Sequence, residues 1–583
     1  MKTKSISAIS PNTCDIFAQS CLLCGYVSTL TERYSGMFVL RRYLMCVAKK
    51  YYQGRKGRKK VMKKNKVLMA AIAAVLAFTM LAGCGGGASV ANENEDVLKL
   101  EGTLASAEPL TLTIHMHFWN ANIFDDEWPI YKEAAKKTNI TLHGTASKTS
   151  TDSNQEFNTM LVNDVLPDII HGEMGNLNKA GSDGALIPLQ DLVKKYAPHI
   201  QAKFDEVPEA YNATIAADGN LYYIPLIRDD RGPAMGWFIR QDWLDKLNLP
   251  VPTTLDEYYN TLKAFRERDP NGNGIKDEVP YLDRHQGVDR LVPLWGAGYG
   301  NYSIDSNGKV VANRTTDEYK TAMKELAKWY KEGLIDQELF TRSNAREELF
   351  GNNLGGATCD WFSSTMSFNK IEADRVKGFH IAVIPPIKDI NGEQKNHFSR
   401  SPVQSIGWGI SKDNKYPAET MKYFDFWFTD EGSLLNAMGI EGEDYTIVNG
   451  EPKYTDKVLN YENGGAPNYM RTIGGAEIGY YAALAPEIAG MTGEAAEGFK
   501  MYAEGGWQVK PFPSLSTSNE EQRTIKDKGG AVDTYTGEWM QNWIMGNKDV
   551  DATWNEYISG LNGLGLQEVL TAYQTAYDRA YKK

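Results

Sequence analysis

Cysteine is nearly absent from the part of the chain that has to fold. Of six cysteines in 583 residues, Cys14, Cys21, Cys24 and Cys46 precede residue 62, and only Cys84 and Cys359 follow. A disulfide framework is therefore excluded there, and an apolar core must hold the fold, which is easy for a chain of this size. Long apolar runs are missing as well. The longest, Val67 to Leu81, has about 15 residues, where a bilayer span needs roughly 20. Basic residues are scarce too. The first 83 residues carry 15 of the 63 Lys+Arg and 2 of the 74 Asp+Glu, which leaves 48 basic against 72 acidic residues and a net charge of about −24. Such a surface repels nucleic acid and gains nothing from anionic lipid. Nucleophile elbow, HExxH and phosphate-cradling glycine loop are all absent. Paired carboxylates suited to glycoside hydrolysis occur by chance among so many acids and identify nothing.

What is present begins at Met62. Lys63, Lys64 and Lys66 precede the apolar run, and Ala82, Gly83 and Cys84 follow it. A basic start, a short apolar stretch and a small-residue exit read as a secretory signal. Leu81-Ala82-Gly83-Cys84 resembles the lipobox of bacterial lipoproteins, which implies a diacylated Cys84 after cleavage; an ordinary leader or a buried apolar helix is the alternative. Two acyl chains suffice for stable anchoring in a lipid bilayer. Gly85 to Gly87 and the acidic stretch near Glu93 to Asp96 then read as a tether over 84–104. Residues 1–61 fit none of this. Cys21 and Cys24 have CxxC spacing without a second ligand pair. We expect translation to start at Met62 and the upstream residues to be unused, an unusually long leader being the other reading.

Further on, strands and helices alternate. Thr111 to His117 and Ile140 to Gly144 read as strands, Trp128 to Lys137 and Asn154 to Val162 as helices, and Leu166 to Ile170 as a strand. This rhythm predicts an α/β fold with both sheet faces covered. A first boundary falls near Asp229 to Gly232, and a second α/β block follows it. Thr254-Leu255-Asp256-Glu257 is a capping-box pattern. Tyr319, Met323, Leu326 and Tyr330 share one face of a helix over Thr316 to Glu332, which Gly333 can close.

An ordered set of patches spans essentially everything after Cys84. It includes LPDII (166–170), DGNLYYIPL (218–226), WFIRQDWLDKLNLPVPTTLDEYYNTLKAF (237–265), DPNGNGIKDEVP (269–280), KWYKEGLIDQELF (328–340), IGWGISK (406–412), GIEGEDY (439–445) and YTGEW (535–539). It resembles the extracellular solute-binding lipoproteins of carbohydrate ABC importers, in the branch of LipO-like and alginate-binding proteins. The resemblance implies a two-lobed periplasmic-binding-protein-like fold of type II, with a hinge and an interlobe cleft. Expected divisions are 105–231 as the first part of the N-lobe and 232–403 as the first part of the C-lobe. An N-lobe return over 404–470 follows, then C-lobe and hinge helices over 471–583. Implied partners are an oligosaccharide and the permease subunits of an importer at the extracellular face of a Gram-positive-type membrane, with ATP hydrolysed elsewhere. A secreted polysaccharide-active enzyme and a sugar-sensing receptor are the alternatives.

Asp269, Asn271, Asn273, Asp277 and Glu278 place side-chain oxygens at spacings that suit one hard cation, and Ile275 can offer its carbonyl. The pattern departs from the twelve-residue EF-hand, whose last position is here Pro280. Matching family members carry a shorter loop ending in Asp-Glu, which implies a structural calcium at the base of a helix pair; an ion-free Asn/Gly turn is the other reading. For a sugar, flat aromatic faces and bidentate polar groups are wanted. All 13 Trp lie beyond Cys84. Trp119, Trp361, Trp408 and Trp507, with Asp229 and Arg231 at the first crossing, are candidates for ligand contact or for core and hinge packing. Glu173 and Arg400 are weaker polar candidates.

Overall fold

A computed structural model describes residues 94–582, apart from 121, 164, 285, 286, 463, 464 and 492. Ten strands form the two larger sheets among the described residues: β1 (Leu110–His115), β2 (Ile140–Gly144), β3 (Ile169–Glu173), β4 (Ile224–Arg228), β5 (Gly236–Arg240), β6 (Val279–Tyr281), β7 (Gly355–Asp360), β8 (Ile381–Ile384), β9 (Val403–Ile410) and β10 (Tyr481–Ala482). Six helices matter below: α1 (Ser153–Leu161), α2 (Met174–Ser182), α3 (Leu255–Glu267), α4 (Asp317–Lys331), α5 (Pro417–Phe426) and α6 (Gly465–Ile473).

The N-lobe sheet runs β10-β4-β9-β3-β1-β2. Its β1, β2 and β3 pair in parallel, whereas β9 lies antiparallel between β3 and β4. Its central strands β3, β4 and β9 are mostly buried on both faces, as parallel-rich sheets are, whereas the edge strand β2 alternates buried and exposed residues. Leu112, Ile114, Ile169, Ile224 and Trp408 are essentially inaccessible. In the C-lobe the order is β8-β5-β7-β6, around Phe238, Ile239, Tyr281, Ala357 and Ile381.

One large apolar core forms in each lobe, with a smaller third cluster around Ile170, Leu177 and Tyr223 in the N-lobe, and the chain passes between the two large cores three times. It leaves the first core after Ile227 and enters the second at Ala234; it returns between Phe398 and Val403, and leaves again between Ile478 and Ala495. Connections of this kind between two lobes are where a hinge would lie. The first lies where the sequence places a boundary. The last comes later than the expected 470, because β10 joins the N-lobe sheet beside β4. A strand of two residues leaves no alternation to read.

Local rules hold well at helix ends. Thr254 and Glu257 exchange both hydrogen bonds of a capping box at the start of α3, an arrangement in which the N-cap side chain alone contributes about 1 kcal/mol. Gly333, at φ +73°, closes α4. Its N–H donates to Tyr330 O and the Leu334 N–H to Trp329 O, both at 3.0 Å, the two bonds of a Schellman motif.

The expected tether is too long at its far end. Glu95–Lys99 form a short 3-10 helix with Val97 buried. Asn94 Nδ2 donates to Glu419 Oε1 at 2.7 Å, and Lys422 Nζ donates to the carbonyls of Val97 and Leu100. Residues 94–100 are thus docked on α5 by one apolar side chain and a lysine that takes up their carbonyls. Cys84, the expected signal segment and 1–61 lie outside the described residues.

Candidate interlobe binding site

A cavity of about 470 Å3 lies beyond the carboxyl ends of β1 and β7 and against all three crossings. In open α/β sheets this is where ligands bind. Phe118, Trp119 and Asn122, with Met470 and Arg471 of α6, form the N-lobe wall, and Trp361 to Ser364 form the C-lobe wall. Arg228, Asp229, Arg400 and Glu487 come from the crossings themselves.

The two tryptophans that face the cavity are 49% and 38% exposed, which is high for indoles in a folded protein. Trp119 sits at φ +49° and Asn120 at φ +59°. A bulky residue in the left-handed region is strained and persists only when its surroundings impose it. Here the first residue of α1 does so. Ser153 N–H donates to Asn120 Oδ1 at 3.0 Å, and Asn120 N–H donates to Ser153 Oγ at 2.9 Å. His117 Nδ1 lies 2.8 Å from the same hydroxyl. Behind Trp119, Phe118 packs on His171 with ring centroids 5.1 Å apart. Burial pulls the His171 pKa down to about 4, so the ring is neutral and its Nε2–H donates to Glu477 O at 2.9 Å.

Trp361 is mounted on buried charge. Its N–H donates to Asp360 Oδ1 at 2.8 Å, and Asp360 Oδ2 is ion-paired to Arg284 and Arg346, each at 3.1 Å. Both arginines also donate to Ser364 Oγ, at 2.6 and 3.2 Å. The neighbouring Cys359 thiol is fully buried and its pKa is pushed well up by that burial, so it is inert.

Polar groups between the tryptophans are tied in pairs. Arg400 lies 5.5 Å from the Trp361 ring centre and 2.6 Å from Glu487 Oε1. Arg228 is 3.8 Å from Glu477, and Gln404 bridges the two by accepting from Arg228 and donating to Glu477 Oε2 at 2.6 Å. The β9/β4 register breaks between Gln404 and Gly407. A Cβ at Gly407 would stand 2.1 Å from Ile224 O, so the close approach after that bulge requires glycine. Burial raises the Glu477 carboxyl pKa and Arg228 opposes it. The Arg231 guanidinium holds the Asp229 carboxyl below its ordinary value, with N to O distances of 2.6 and 2.9 Å.

Of the sequence candidates, Trp119, Asp229, Trp361 and Arg400 come together at this cavity. The others do not. Trp408 is fully buried, stacked on Phe424 at 4.6 Å, because its β9 position points at α5 and the core. Trp507 packs against Tyr502 at 5.7 Å, and the Gly-rich stretch around it serves that packing. Glu173 lies at the exposed end of β3, before α2, outside the lining. Arg231 is spent on Asp229 and borders a second cavity with Lys510 and Tyr577. Arg228, Gln404, Arg471, Glu477 and Glu487 have no motif around them. Only the two glycines before Ala476-Glu477 hinted at a close approach.

The candidate calcium loop joins α3 to β6, a helix and a strand, rather than a helix pair. Asp269, at φ +47°, accepts through Oδ1 from the N–H of Gly272 and Asn273 and through Oδ2 from that of Gly274, at 2.8 to 3.0 Å. Asn271 and Asn273 turn their Nδ2 groups toward Asp277, at 3.0 to 3.3 Å. Ile275 is 61% exposed with its N–H bonded to Asn273, which leaves only its carbonyl as a donor to an ion. Glu278 is buried with no side-chain partner for its carboxylate, and burial pushes its pKa up; Asp269 and Asp277 add to that, while the backbone N–H groups of Glu278 and Asn271 oppose it. A buried carboxylate without a countercharge costs free energy that a cation would relieve. Among the described residues no three His, Cys, Asp or Glu side chains stand close enough to hold an ion alone. The donor types suit a hard cation; the Asn271 and Asn273 amide oxygens already accept from the N–H of Asn273 and Ile275, at 2.9 and 2.7 Å, and each keeps a second lone pair.

Two α/β lobes joined by three crossings, with a cavity to which each lobe contributes an exposed tryptophan, define a two-lobed, type II periplasmic-binding-protein-like fold. The chain belongs to the bacterial extracellular solute-binding protein family, whose model matches residues 112–433. It is 26% identical over 450 residues to the fructooligosaccharide ABC transporter substrate-binding protein FusA of Streptococcus pneumoniae, covering 71% of this chain and 80% of the relative. Lipoprotein LipO of Bacillus subtilis is 26% identical over 423 residues, covering 70% and 79%. The crystal structure of the alginate-binding protein AlgQ2 without calcium ion superposes with a TM-score of 0.66 at 41% identity, covering 82% of this chain and all of that one.

Proposed function

We propose that the chain is the membrane-tethered receptor of an oligosaccharide ABC importer, held at the extracellular face by an acylated Cys84. The lobes close on the sugar, and the closed form docks on the permease subunits, while ATP is hydrolysed by a separate subunit. The observation that carries this reading is the pair of exposed tryptophans, Trp119 and Trp361, presented by opposite lobes across one cavity. Each offers a flat face to an apolar sugar face, and closure brings both onto the same ligand. A relative that binds fructooligosaccharide and another that binds alginate support a saccharide cargo. No catalytic role is assigned to the cavity: its carboxylates are engaged with arginines at the hinge. Closure requires that the sugar bind the closed state far better than the open one.

In the same proposal Asp269, Asn271, Asn273, the Ile275 carbonyl, Asp277 and Glu278 hold a structural calcium, whose positive charge would compensate the buried Glu278. The test is calorimetry of residues 88–583, which contain every described element, against an oligosaccharide panel with calcium present. Sugar binding without bond cleavage on prolonged incubation is expected, and release of shortened products would overturn the receptor assignment. Uptake and gene induction, measured separately after deletion, distinguish transport from sensing. Calcium at a thousand-fold excess over its Kd should add about 4 kcal/mol of stability; an unchanged Tm would remove the ion from the account.

A further inference from the structure

We infer that the cleft selects uncharged oligosaccharides over uronate-bearing ones, because the guanidinium groups deepest in it are already matched by carboxylates of the same wall. This deepens the oligosaccharide reading above and rests on it. Three arginines and three carboxylates line the cavity. Arg400 is ion-paired to Glu487 at 2.6 Å, and Arg228 and Glu477 are linked directly at 3.8 Å and through Gln404. Asp229 is held by Arg231 just outside. The third lining arginine, Arg471, stands exposed at the rim and donates to Asn468 Oδ1 at 2.9 Å. Behind Trp361, Arg284 and Arg346 share Asp360, and Arg346 also meets Glu347.

A sugar carboxylate entering this cavity has two options. It can displace Glu487 or Glu477 from its arginine, which leaves a half-buried acid unpaired. Otherwise it lies beside that acid with no counter-charge of its own. Both are unfavourable among side chains that are only 20 to 30% exposed. A hydroxyl meets no such obstacle. It can donate to the carboxylate and accept from the guanidinium of one intact pair, and charge-assisted hydrogen bonds are the strong ones. Rows of ion pairs between two indole faces therefore form a surface for neutral polyols. The crossings supply these pairs, so selection and hinge closure act through the same side chains.

The test is calorimetry at low and at physiological salt on residues 88–583 with calcium, using matched probes. Neutral xylo-oligosaccharides are compared with their glucuronosyl-branched forms, and galacto-oligosaccharides with oligogalacturonates, with fructo-oligosaccharides and alginate oligosaccharides alongside. We expect the tighter member of each matched pair to be the neutral one, by at least tenfold, with less than a twofold change in its Kd across salt. In Glu487→Gln, where Arg400 loses its counter-charge, the gap should narrow by about tenfold and uronate binding should become salt-dependent. Glu477→Gln gives the same readout through Arg228 if the first variant folds poorly. Tenfold tighter, salt-sensitive binding of a uronate-bearing probe to the unaltered chain would overturn the inference. Binding of no saccharide from either class would overturn the receptor reading itself, and the inference with it.

Discussion

The two tryptophans that face the cleft are presented by opposite physical means. Trp119 stands on a left-handed turn that is forced by hydrogen bonds to Ser153 and backed, through Phe118, by the neutral, buried His171. Trp361 stands at the end of a regular strand, over Asp360 clamped between Arg284 and Arg346. One platform is held by backbone strain, the other by paired charge. The N-lobe platform should therefore yield to substitutions that release strain and to acid, and the C-lobe platform to loss of a countercharge.

The largest effect is expected at the charged platform. Asp360→Asn leaves two largely buried arginines sharing a neutral amide, and breaking a buried pair on one side costs about 3 to 5 kcal/mol. Denaturant unfolding should show that loss; a change below 1 kcal/mol would mean that Ser364 and Glu347 suffice to hold the arginines.

Acid should separate the lobes next. Burial lowers the pKa of His115 and His171, both in the N-lobe, to about 4, and does the same to His397 in the C-lobe. Between about pH 6.5 and 4 the unfolded chain binds protons that the folded chain refuses. Stability from these groups is therefore complete above pH 6.5 and is lost as pH falls toward 4, by up to about 3 kcal/mol per histidine. Hydrogen exchange at pH 7 and pH 5 should show the larger loss of protection in β1 and β3, and His171→Gln should reduce it. Equal loss in both lobes would contradict the comparison.

The same contrast explains what was legible in the sequence. Helix ends such as Thr254-Glu257 and Gly333 follow local rules, so spacing alone located them. The first crossing at Asp229 was visible because a turn there separates two apolar runs. Trp119 stood out because it follows a strand legible in the sequence; the strand before Trp361 was seen only in the structure, where both indoles lie just beyond a strand end. Trp408 follows the same logic with the opposite outcome: it lies inside β9 rather than beyond it, and the core takes it. Arg228, Glu477 and Glu487 were invisible since their partnership joins crossings far apart in sequence, and nothing local distinguishes a paired glutamate from a solvated one. Residues 94–100 were misread for a related reason: one buried Val97 and the carbonyl-binding Lys422 override an acidic, tether-like composition.

Removing either indole should weaken binding by a similar amount. Trp361→Ala and Trp119→Ala each forfeit one stacked face, roughly 2 kcal/mol or about thirtyfold in Kd, measurable by calorimetry with whichever sugar the panel selects. The variants should differ in stability, since Trp361→Ala leaves the Asp360 cluster in place whereas Trp119→Ala retains a Cβ in the left-handed turn. A Kd unchanged in one of them would leave a single platform and remove the need for both lobes to close on the ligand.

The smallest effect is the most discriminating. Trp119→Gly removes both the indole and the strain at φ +49°, because glycine alone adopts that conformation freely. The indole is half exposed, so little packing is lost. Relief of strain is worth about 1 to 3 kcal/mol, while the greater freedom of glycine in the unfolded chain returns about 1 kcal/mol. The variant should thus be as stable as the parent or more stable by about 1 kcal/mol, while losing affinity like Trp119→Ala. Such a result would show that the N-lobe holds its tryptophan in the cleft against the preference of its own backbone. A loss of stability instead would place Trp119 among the residues that hold the lobe together, and the two platforms would no longer be opposites.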